Sequence, residues 1–111
     1  MSDLTLYGLK NCDTCKKALK ALEGAGRNVT FVDIRAEADL PAKVPGWLAE
    51  AGEKTLLNTR STTWRNLSEA ERAGDPEALL IANATLIKRP VIEAGGALYV
   101  GWTKDAQATL L

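Results

Sequence analysis

The two cysteines of this chain, Cys12 and Cys15, are separated by two residues and stand where a short strand meets a helix. The strand is predicted over residues 4–7, and alanine and leucine recur with helical spacing from Thr14 onward. A thiol in the first turn of a helix faces unpaired backbone N–H groups and the positive end of the helix dipole, which both favour its thiolate. The pair therefore predicts thiol chemistry and limits the folds that can surround it.

A cysteine pair with this spacing also occurs as half of a zinc site or as two inert core residues. A zinc site would need two more ligands, and the chain has no third cysteine and no histidine. Two inert core cysteines would have to reach this junction by chance. A strand, a Cys-x-x-Cys segment and a helix in this order open a thioredoxin-like redox domain. The sequence favours that interpretation, and we expect neither a metal site nor a bound cofactor.

Length, composition and charge predict a single domain over residues 1–111. A chain of this size can bury one core without disulfide or metal support. Its net charge of zero and its pI near 6.3 do not fit a protein that binds nucleic acid or a membrane surface directly, since such proteins carry a basic excess. The start of the sequence shows no signal-peptide pattern. We therefore expect a cytoplasmic monomer, and in that compartment such a cysteine pair is more often catalytic than structural.

The first half of the fold is predicted as a βαβ unit. A strand over 4–7 is followed by a helix over 14–25 and by a strand over 29–34 that is rich in β-branched and aromatic residues. Two strands joined through a helix are parallel and have a right-handed connection.

The end of the chain is predicted as a ββα unit. Gly95 and Gly96 separate strands over 90–94 and 97–100, which is a strong hairpin signal, and a helix over 104–111 follows. The fold class is therefore α/β, with a thioredoxin- or glutaredoxin-like core built on a mixed four-stranded sheet.

Residues of about 39–84 are predicted to form a helical insertion between these two units. A helix is expected over 42–51, and residues 56–64 are expected to be an irregular loop rich in hydroxyl groups around Arg60. The segment 68–71 has the pattern of a capping box, which marks the start of another helix.

Four segments in this order resemble the arsenate reductase (ArsC)/Spx/YffB family, namely residues 6–14, 57–65, 87–92 and 100–102. The resemblance covers nearly the whole chain. It is closest to the YffB-type branch, whose members carry a near-identical Lys-Asn-Cys-Asp-Thr and an Asn-Thr-Arg followed by Thr-Trp-Arg. It implies a thioredoxin-like core with a helical insertion, as the element pattern also predicts.

The resemblance also implies roles for individual residues. Cys12 matches the nucleophile of the family's reductases, and Arg60 and Arg89 match arginines that bind the oxyanion and stabilise the thiolate in arsenate reductases. Apart from the resemblance, the position of Cys15 one turn further into the helix favours a role as the resolving thiol over that of an incidental helix residue. Glutathione is then the co-substrate, and glutaredoxin is a partner in the reduction. No arginine follows Arg89, and Gly8 stands where arsenate reductases have a histidine, so arsenate is expected to be only one candidate substrate.

The segment around Arg89 completes the predicted site. Thioredoxin-like folds present an extended thiol substrate with the backbone before a cis-proline, and Pro90 stands at the corresponding strand start, so the Arg89–Pro90 bond is expected to be cis. Lys10, Asn11 and Lys88 are expected to help bind glutathione or another anion.

Three functions remain open from the sequence. The favoured one is a glutathione-dependent thiol reductase, because two arginines placed toward one nucleophile indicate a small anionic ligand such as glutathione or an oxyanion. The second is an Spx-like, redox-switched transcriptional regulator that binds RNA polymerase. The third is a general thioredoxin-like disulfide exchanger, in which the arginines would have no special role.

Overall fold

The sheet has the mixed four-stranded topology that the sequence predicts. The computed structural model describes residues 3–111, and its strands are β1 Asp3–Gly8, β2 Asn28–Asp33, β3 Val91–Ala94 and β4 Ala97–Val100. Their order is β2-β1-β3-β4. β2 pairs with β1 in parallel, whereas β3 is antiparallel to both β1 and β4. The predicted α/β fold with a thioredoxin-like sheet is therefore confirmed.

Seven α-helices accompany this sheet in the part of the chain from residue 3 onward. They are α1 Asp13–Gly24, α2 Leu40–Ala51, α3 Glu53–Leu56, α4 Thr62–Asn66, α5 Glu69–Arg72, α6 Pro76–Ala82 and α7 Lys104–Leu110, and a 3-10 helix covers Ala84–Leu86. Within residues 3–111, every helix is too short or too polar to cross a membrane.

The chain divides into two compact units. The first, here called the sheet unit, consists of the residues up to Ala38 and those from Arg89 onward. The second, here called the helical unit, is Asp39–Lys88. The helical unit begins where the predicted insertion begins and ends four residues later than the predicted limit of about 84. That all 111 residues form a single domain stays a prediction.

The core of the sheet unit joins the strands to the first and last helices. It is a cluster of apolar side chains from β1, α1, β3 and α7: Leu4, Leu6, Ala18, Leu22, Ile92, Ala106 and Leu110. Leu4 and Leu6 share one face of β1 because side chains alternate along a strand. Arg27 binds the C-terminal end of α7, because its Nε donates a hydrogen bond to the carbonyl of Leu110 at 2.7 Å. This packing holds α1 against the sheet with its first turn beside the end of β1.

The hairpin between β3 and β4 follows the prediction. Ala94 is paired with Ala97, and the two residues between them are Gly95 and Gly96. Their φ angles are +52° and +88°. A two-residue turn that suits the right-handed twist of the strands requires positive φ at both positions, which glycine adopts without a steric penalty.

Several helices of the helical unit have a first turn that is capped by a side chain. Ser61 accepts the backbone N–H of Trp64 at 3.1 Å. Ser68 accepts that of Glu71 at 3.1 Å, and the Glu71 carboxylate accepts the N–H of Ser68 at 2.8 Å. This reciprocal pair confirms the predicted capping box.

The irregular loop predicted over 56–64 is wrong at both of its ends. Leu56 is the last residue of α3, and Thr62 is the first residue of α4. The cap from Ser61 starts α4, a local hydrogen bond that outweighs the poor helix propensity of the threonines. The turn between the two helices is tied to the end of the unit, since the N–H of Asn58 donates to Leu86 at 2.7 Å and that of Lys88 donates to Leu56 at 2.8 Å.

Candidate active site

Cys12 is the residue that caps the N-terminus of α1. Its backbone is extended, with φ −92° and ψ 117°, and its carbonyl accepts the N–H of Lys16 at 3.0 Å. Its own N–H donates to the carbonyl of Leu9 at 3.1 Å, which closes the turn between β1 and the helix. The side chain is half-buried. The predicted position of this thiol at a strand-to-helix junction is confirmed.

The surroundings of Cys12 favour its thiolate. Burial raises the pKa of the Cys12 thiol, but hydrogen bonds from the backbone N–H and the thiol of Cys15, together with the hydrogen bond and positive charge of Arg89, lower this pKa below its ordinary value overall. Donors directed at a sulfur stabilise its charged form more than its neutral form. The surroundings thus favour ionisation of this thiol, which is a condition that a nucleophilic cysteine must meet.

The surroundings of Cys15 have the opposite effect. The side chain has no exposed surface. Burial, and then the neighbouring Cys12 sulfur, raise the pKa of the Cys15 thiol to about 12, although the backbone of Leu9 and the charge of Arg89 act in the other direction. At neutral pH, Cys15 in the reduced protein is therefore a thiol that donates to Cys12. Its role as the resolving thiol stays a prediction.

Gly8 makes the space that Cys15 occupies. A Cβ atom placed on Gly8 would lie 2.6 Å from Sγ and 3.1 Å from Cβ of Cys15. Contacts between carbon and sulfur cannot be this short, so any larger residue at the end of β1 would displace the buried thiol. The sequence marks Gly8 as a departure from arsenate reductases but does not reveal this contact, which depends on the packing of α1 on β1.

Arg89 and Pro90 lie immediately before β3, at the same end of the sheet unit as Cys12. Arg89 is half-buried and acts on the Cys12 sulfur through both a hydrogen bond and its charge. Pro90 is buried, and the Arg89–Pro90 peptide bond is cis, as the sequence predicts. The structure therefore brings together three of the predicted site residues, Cys12, Cys15 and Arg89.

The other predicted site residues are more exposed. Lys10 and Asn11 lie in the exposed turn between β1 and α1. Lys88 is exposed and ends the helical unit. Arg60 is exposed in the turn before α4, where its N–H donates to the side-chain oxygen of Asn58 at 3.1 Å. The roles of these four residues in binding an anion stay predictions.

Among residues 3–111, no three Cys, Asp or Glu side chains come close enough together to form a metal site. At this end of the sheet, the structure brings together the thiols of Cys12 and Cys15 and the guanidinium group of Arg89.

Comparisons with known proteins agree with this geometry. A profile of the ArsC family matches residues 7–110. The solved structure of the YFFB (PA3664) protein is 39% identical, covers 97% of this chain and 98% of its own, and superposes with a TM-score of 0.87. An arsenate reductase (ArsC) related protein from Brucella melitensis is 37% identical over 96% of this chain and 92% of its own, with a TM-score of 0.75.

The fold is also similar to that of a glutaredoxin from Archaeoglobus fulgidus, which is 18% identical over 99% of this chain and 86% of its own, with a TM-score of 0.51. This likeness concerns the fold alone. Together with the strand order, the cis-proline and the activated Cys12, the family match over residues 7–110 leads to one conclusion. The chain belongs to the ArsC family of thioredoxin-fold redox enzymes.

Proposed function

We propose that this protein is a glutathione-dependent thiol reductase with the Cys12 thiolate as its nucleophile. The observation that supports this is the opposite tuning of the two cysteines: the pKa of Cys12 is lowered, whereas that of Cys15 is raised to about 12. Because a thiolate and not a thiol attacks sulfur, only Cys12 is prepared to react near neutral pH. This favours a mechanism with one reacting cysteine, in which glutathione itself completes the cycle.

In the proposed first step, the Cys12 thiolate attacks the glutathione sulfur of a mixed disulfide. A bond forms between Cys12 and that sulfur while the S–S bond of the substrate breaks, and the substrate leaves as a thiolate with the electron pair. A second glutathione thiolate then attacks the glutathione sulfur of the Cys12 adduct. This step releases oxidised glutathione and restores the Cys12 thiolate. Glutaredoxin is an alternative thiol donor for the second step. Arsenate is an alternative substrate: Cys12 would form a bond to arsenic as one arsenate oxygen leaves as water, and two thiols, which end as a disulfide, would supply the two electrons that reduce arsenic.

Arg89 and Arg60 are proposed to bind the anionic groups of the substrate. A guanidinium group offers paired N–H donors that match a carboxylate or an oxyanion. Arg89 is already beside the nucleophile, so it would hold both the thiolate and the incoming anion, while Arg60 would hold a second anionic group. The other residues proposed to contact glutathione are Lys10, Asn11, Lys88 and Pro90.

The two cysteines can be separated by turnover measurements. The rate of reduction of a glutathione–mercaptoethanol mixed disulfide is followed through glutathione reductase and NADPH. We expect Cys12→Ser to abolish turnover, because it removes the nucleophile, and Cys15→Ser to retain turnover, because its hydroxyl can still donate to Cys12. Loss of activity in both variants would contradict the mechanism with one reacting cysteine.

The arginines can be tested by glutathione titration. Arg89→Ala should weaken binding by about 1.5–3 kcal/mol, the range for hydrogen bonds to charged groups, and Arg60→Ala should weaken it in the same direction. Arg89→Lys should restore only part of the affinity, since an ammonium group cannot form the paired contact. Arg35→Ala is the matched control, because Arg35 is an exposed arginine outside the proposed site. Unchanged affinity in both alanine variants would refute the anion site.

The alternative proposal is a redox-switched transcriptional regulator. It predicts no turnover in the wild type, and it predicts that binding to RNA polymerase differs between the reduced protein and the Cys12–Cys15 disulfide. Pull-down of polymerase under both redox conditions distinguishes the two functions.

A further inference from the structure

A pocket in the sheet unit is lined by residues that flank Cys12 along the chain. Its volume is about 310 Å³, and it is lined by Leu9, Lys10, Lys16, Leu19 and Phe31. The lining residues come from the turn before Cys12, from α1 and from β2. Only Lys10 among them is a predicted site residue, because the pocket forms only when α1 packs beside β2.

The lining combines apolar walls with two cations. Leu9, Leu19 and Phe31 are partly buried hydrophobic residues, whereas Lys10 and Lys16 are exposed. The surface that faces the pocket is almost entirely carbon, so the lysines contribute the methylene stems of their side chains to the wall and keep their ammonium groups at the water-facing rim. Such a pocket suits a molecule with an apolar body and an anionic group.

The pocket is linked directly to Cys12 by the backbone on both sides. The Cys12 N–H donates to the carbonyl of Leu9 at 3.1 Å, and the Cys12 carbonyl accepts the N–H of Lys16 at 3.0 Å. Residues that line the pocket therefore also fix the position of the nucleophile. The pocket therefore borders the chain segment that carries Cys12.

The size and the polarity of the pocket indicate which part of a substrate it would take. An apolar cavity of about 150 Å³ is enough for a benzene ring, so 310 Å³ accommodates a substituted ring or a branched aliphatic group. Glutathione is a poor match, because its peptide groups would lose water against a carbon wall without gaining hydrogen bonds. The pocket is better suited to the other half of a glutathione mixed disulfide.

We propose that this pocket binds the apolar part of the substrate that Cys12 reduces, and that Lys10 and Lys16 bind an anionic group on the same part. The preferred substrate class is then a small disulfide that carries an aromatic or branched aliphatic group together with a carboxylate or a similar anion. This inference rests on the proposed function, since it concerns the substrate of the same nucleophile. The reaction is thiol–disulfide exchange: the Cys12–sulfur bond forms, the S–S bond of the substrate breaks, and the leaving thiolate takes the electron pair.

The test measures how fast the thiol at Cys12 reacts with reagents that differ in one property at a time. Dithiobis(nitrobenzoate) is aromatic and anionic, dithiodipyridine is aromatic without a carboxylate, and oxidised glutathione is anionic without an apolar group. The first phase of the reaction of the whole protein is followed for each reagent. Each rate is divided by the rate with iodoacetamide, a small neutral reagent, so that a change in the thiolate fraction of Cys12 cancels.

Four variants are compared with the wild type. Lys10→Gln and Lys16→Gln each should slow dithiobis(nitrobenzoate) by about twofold to fivefold, the effect of an exposed ion pair, and leave dithiodipyridine unchanged. Lys10→Gln should also slow oxidised glutathione, because Lys10 is proposed to contact glutathione as well, whereas Lys16→Gln should not. Leu19→Gln should slow both aromatic reagents by at least about fourfold, the effect of losing one apolar carbon from the contact, because a polar amide replaces the branched apolar end of the leucine. It should leave oxidised glutathione unchanged. Lys17→Gln is the matched control, because Lys17 is the next exposed lysine on α1 and lies outside the pocket; it should change none of the ratios.

Equal ratios in the wild type and the two pocket-lysine variants would overturn the proposal. So would an equal loss in Lys17→Gln, because it would show a general effect of positive charge instead of a pocket. If Leu19→Gln fails to fold, the lysine variants still decide the question. A failure of the proposed function is distinct: Cys12 would then support no glutathione-coupled turnover in the wild type, whereas failure of the pocket proposal leaves that turnover intact.

Discussion

The sheet unit and the helical unit differ in the interactions that position individual residues. In the sheet unit, residues of different elements are in direct contact, as in the pairing of β1 with β3 and the contact of Cys15 in α1 with Gly8 in β1. In the helical unit, several short helices begin at a capping side chain that bonds three residues ahead, as Ser61, Ser68 and Asp75 do. The activated thiol belongs to the first kind of structure, because tuning a sulfur requires donors brought from several elements.

This difference has a consequence for mutation. A change at a close contact in the sheet unit must displace neighbours on other elements, since interiors are packed as densely as organic crystals. A change at a cap in the helical unit affects one hydrogen bond and one helix end. Stability measurements on matched variants can therefore confirm or refute the comparison.

The largest effect is expected for Gly8→Ala. The added Cβ would lie 2.6 Å from Sγ of Cys15, so the helix must shift or the thiol must move, and overpacking of this kind costs about 1–3 kcal/mol of unfolding free energy. Denaturant unfolding measures the loss. Cys15→Ala should recover much of it in the double variant, because it removes the atom that clashes. Strictly additive losses would show that the two residues are not coupled.

The next effect is a loss of stability at alkaline pH. The folded-state pKa of Cys15 is raised to about 12, so above the ordinary thiol pKa of about 8.5 the unfolded chain releases a proton that the folded chain retains. The unfolding free energy should therefore fall as pH rises, by at most about 1.4 kcal/mol between pH 9 and pH 10. Cys15→Ala should lack this component, and parallel pH profiles for the two proteins would contradict the assignment.

Cys12 contributes to the pH profile with the opposite sign. Its folded-state pKa is lowered, so its contribution to stability is complete above the ordinary thiol pKa and is lost as pH falls through the folded-state value. Cys12→Ala should therefore change the pH dependence of the unfolding free energy at lower pH than Cys15→Ala does. The two variants thus serve as controls for each other.

A smaller effect is expected in the helical unit for Ser68→Ala. The hydroxyl of Ser68 accepts the N–H of Glu71 at 3.1 Å, and removal of such a cap costs about 1 kcal/mol. Ser68→Asp keeps an acceptor at the same position and should retain most of the stability. Because the cap is local, neither variant should change the reactivity of Cys12 with iodoacetamide. A change in that reactivity would show that the effect of the cap extends beyond its own helix end.

The smallest effect is expected for Arg72→Ala, also in the helical unit. The Arg72 guanidinium lies 5.4 Å from the centre of the Trp64 ring and donates to the carbonyls of Trp64 at 3.1 Å and Arg65 at 3.2 Å. An exposed cation–π contact contributes about 0.5–1 kcal/mol. Thermal or denaturant unfolding of this variant is compared with that of Arg35→Ala, which changes an exposed arginine of the sheet unit. Equal stability of the two variants would mean that the Trp64 contact adds nothing.

Local signals predicted most of the fold. The glycine pair at 95–96 predicts the hairpin because its two positions need positive φ, and the Ser68–Glu71 capping box is a short-range hydrogen-bond pattern. The prediction of a loop over 56–64 was wrong because a local hydrogen bond of the same kind as the capping box acts there. One serine cap was enough to start a helix in a segment whose composition favours a loop.

The candidate site was predicted in part. Cys12, Cys15 and the cis bond before Pro90 could be located from spacing and from the family resemblance, and the structure brings Arg89 to the Cys12 sulfur. The exposed Arg60 keeps its predicted role only as a proposal. The apolar pocket formed by Leu9, Leu19 and Phe31 could not be predicted, since it depends on side chains from three elements meeting in space.

The sequence by itself determined the order of the elements, the position of a thiol at a helix start, and the family to which the chain belongs. These depend on residue spacing, on turn chemistry and on motifs, all of which are local. Only the tertiary structure decided that Cys12 and Cys15 would be tuned in opposite directions. The two thiols are three residues apart on one helix, but Cys15 is buried against Gly8 of β1, whereas Cys12 remains half-exposed beside Arg89. A pKa depends on burial and on charges within a few ångströms, and packing alone sets both.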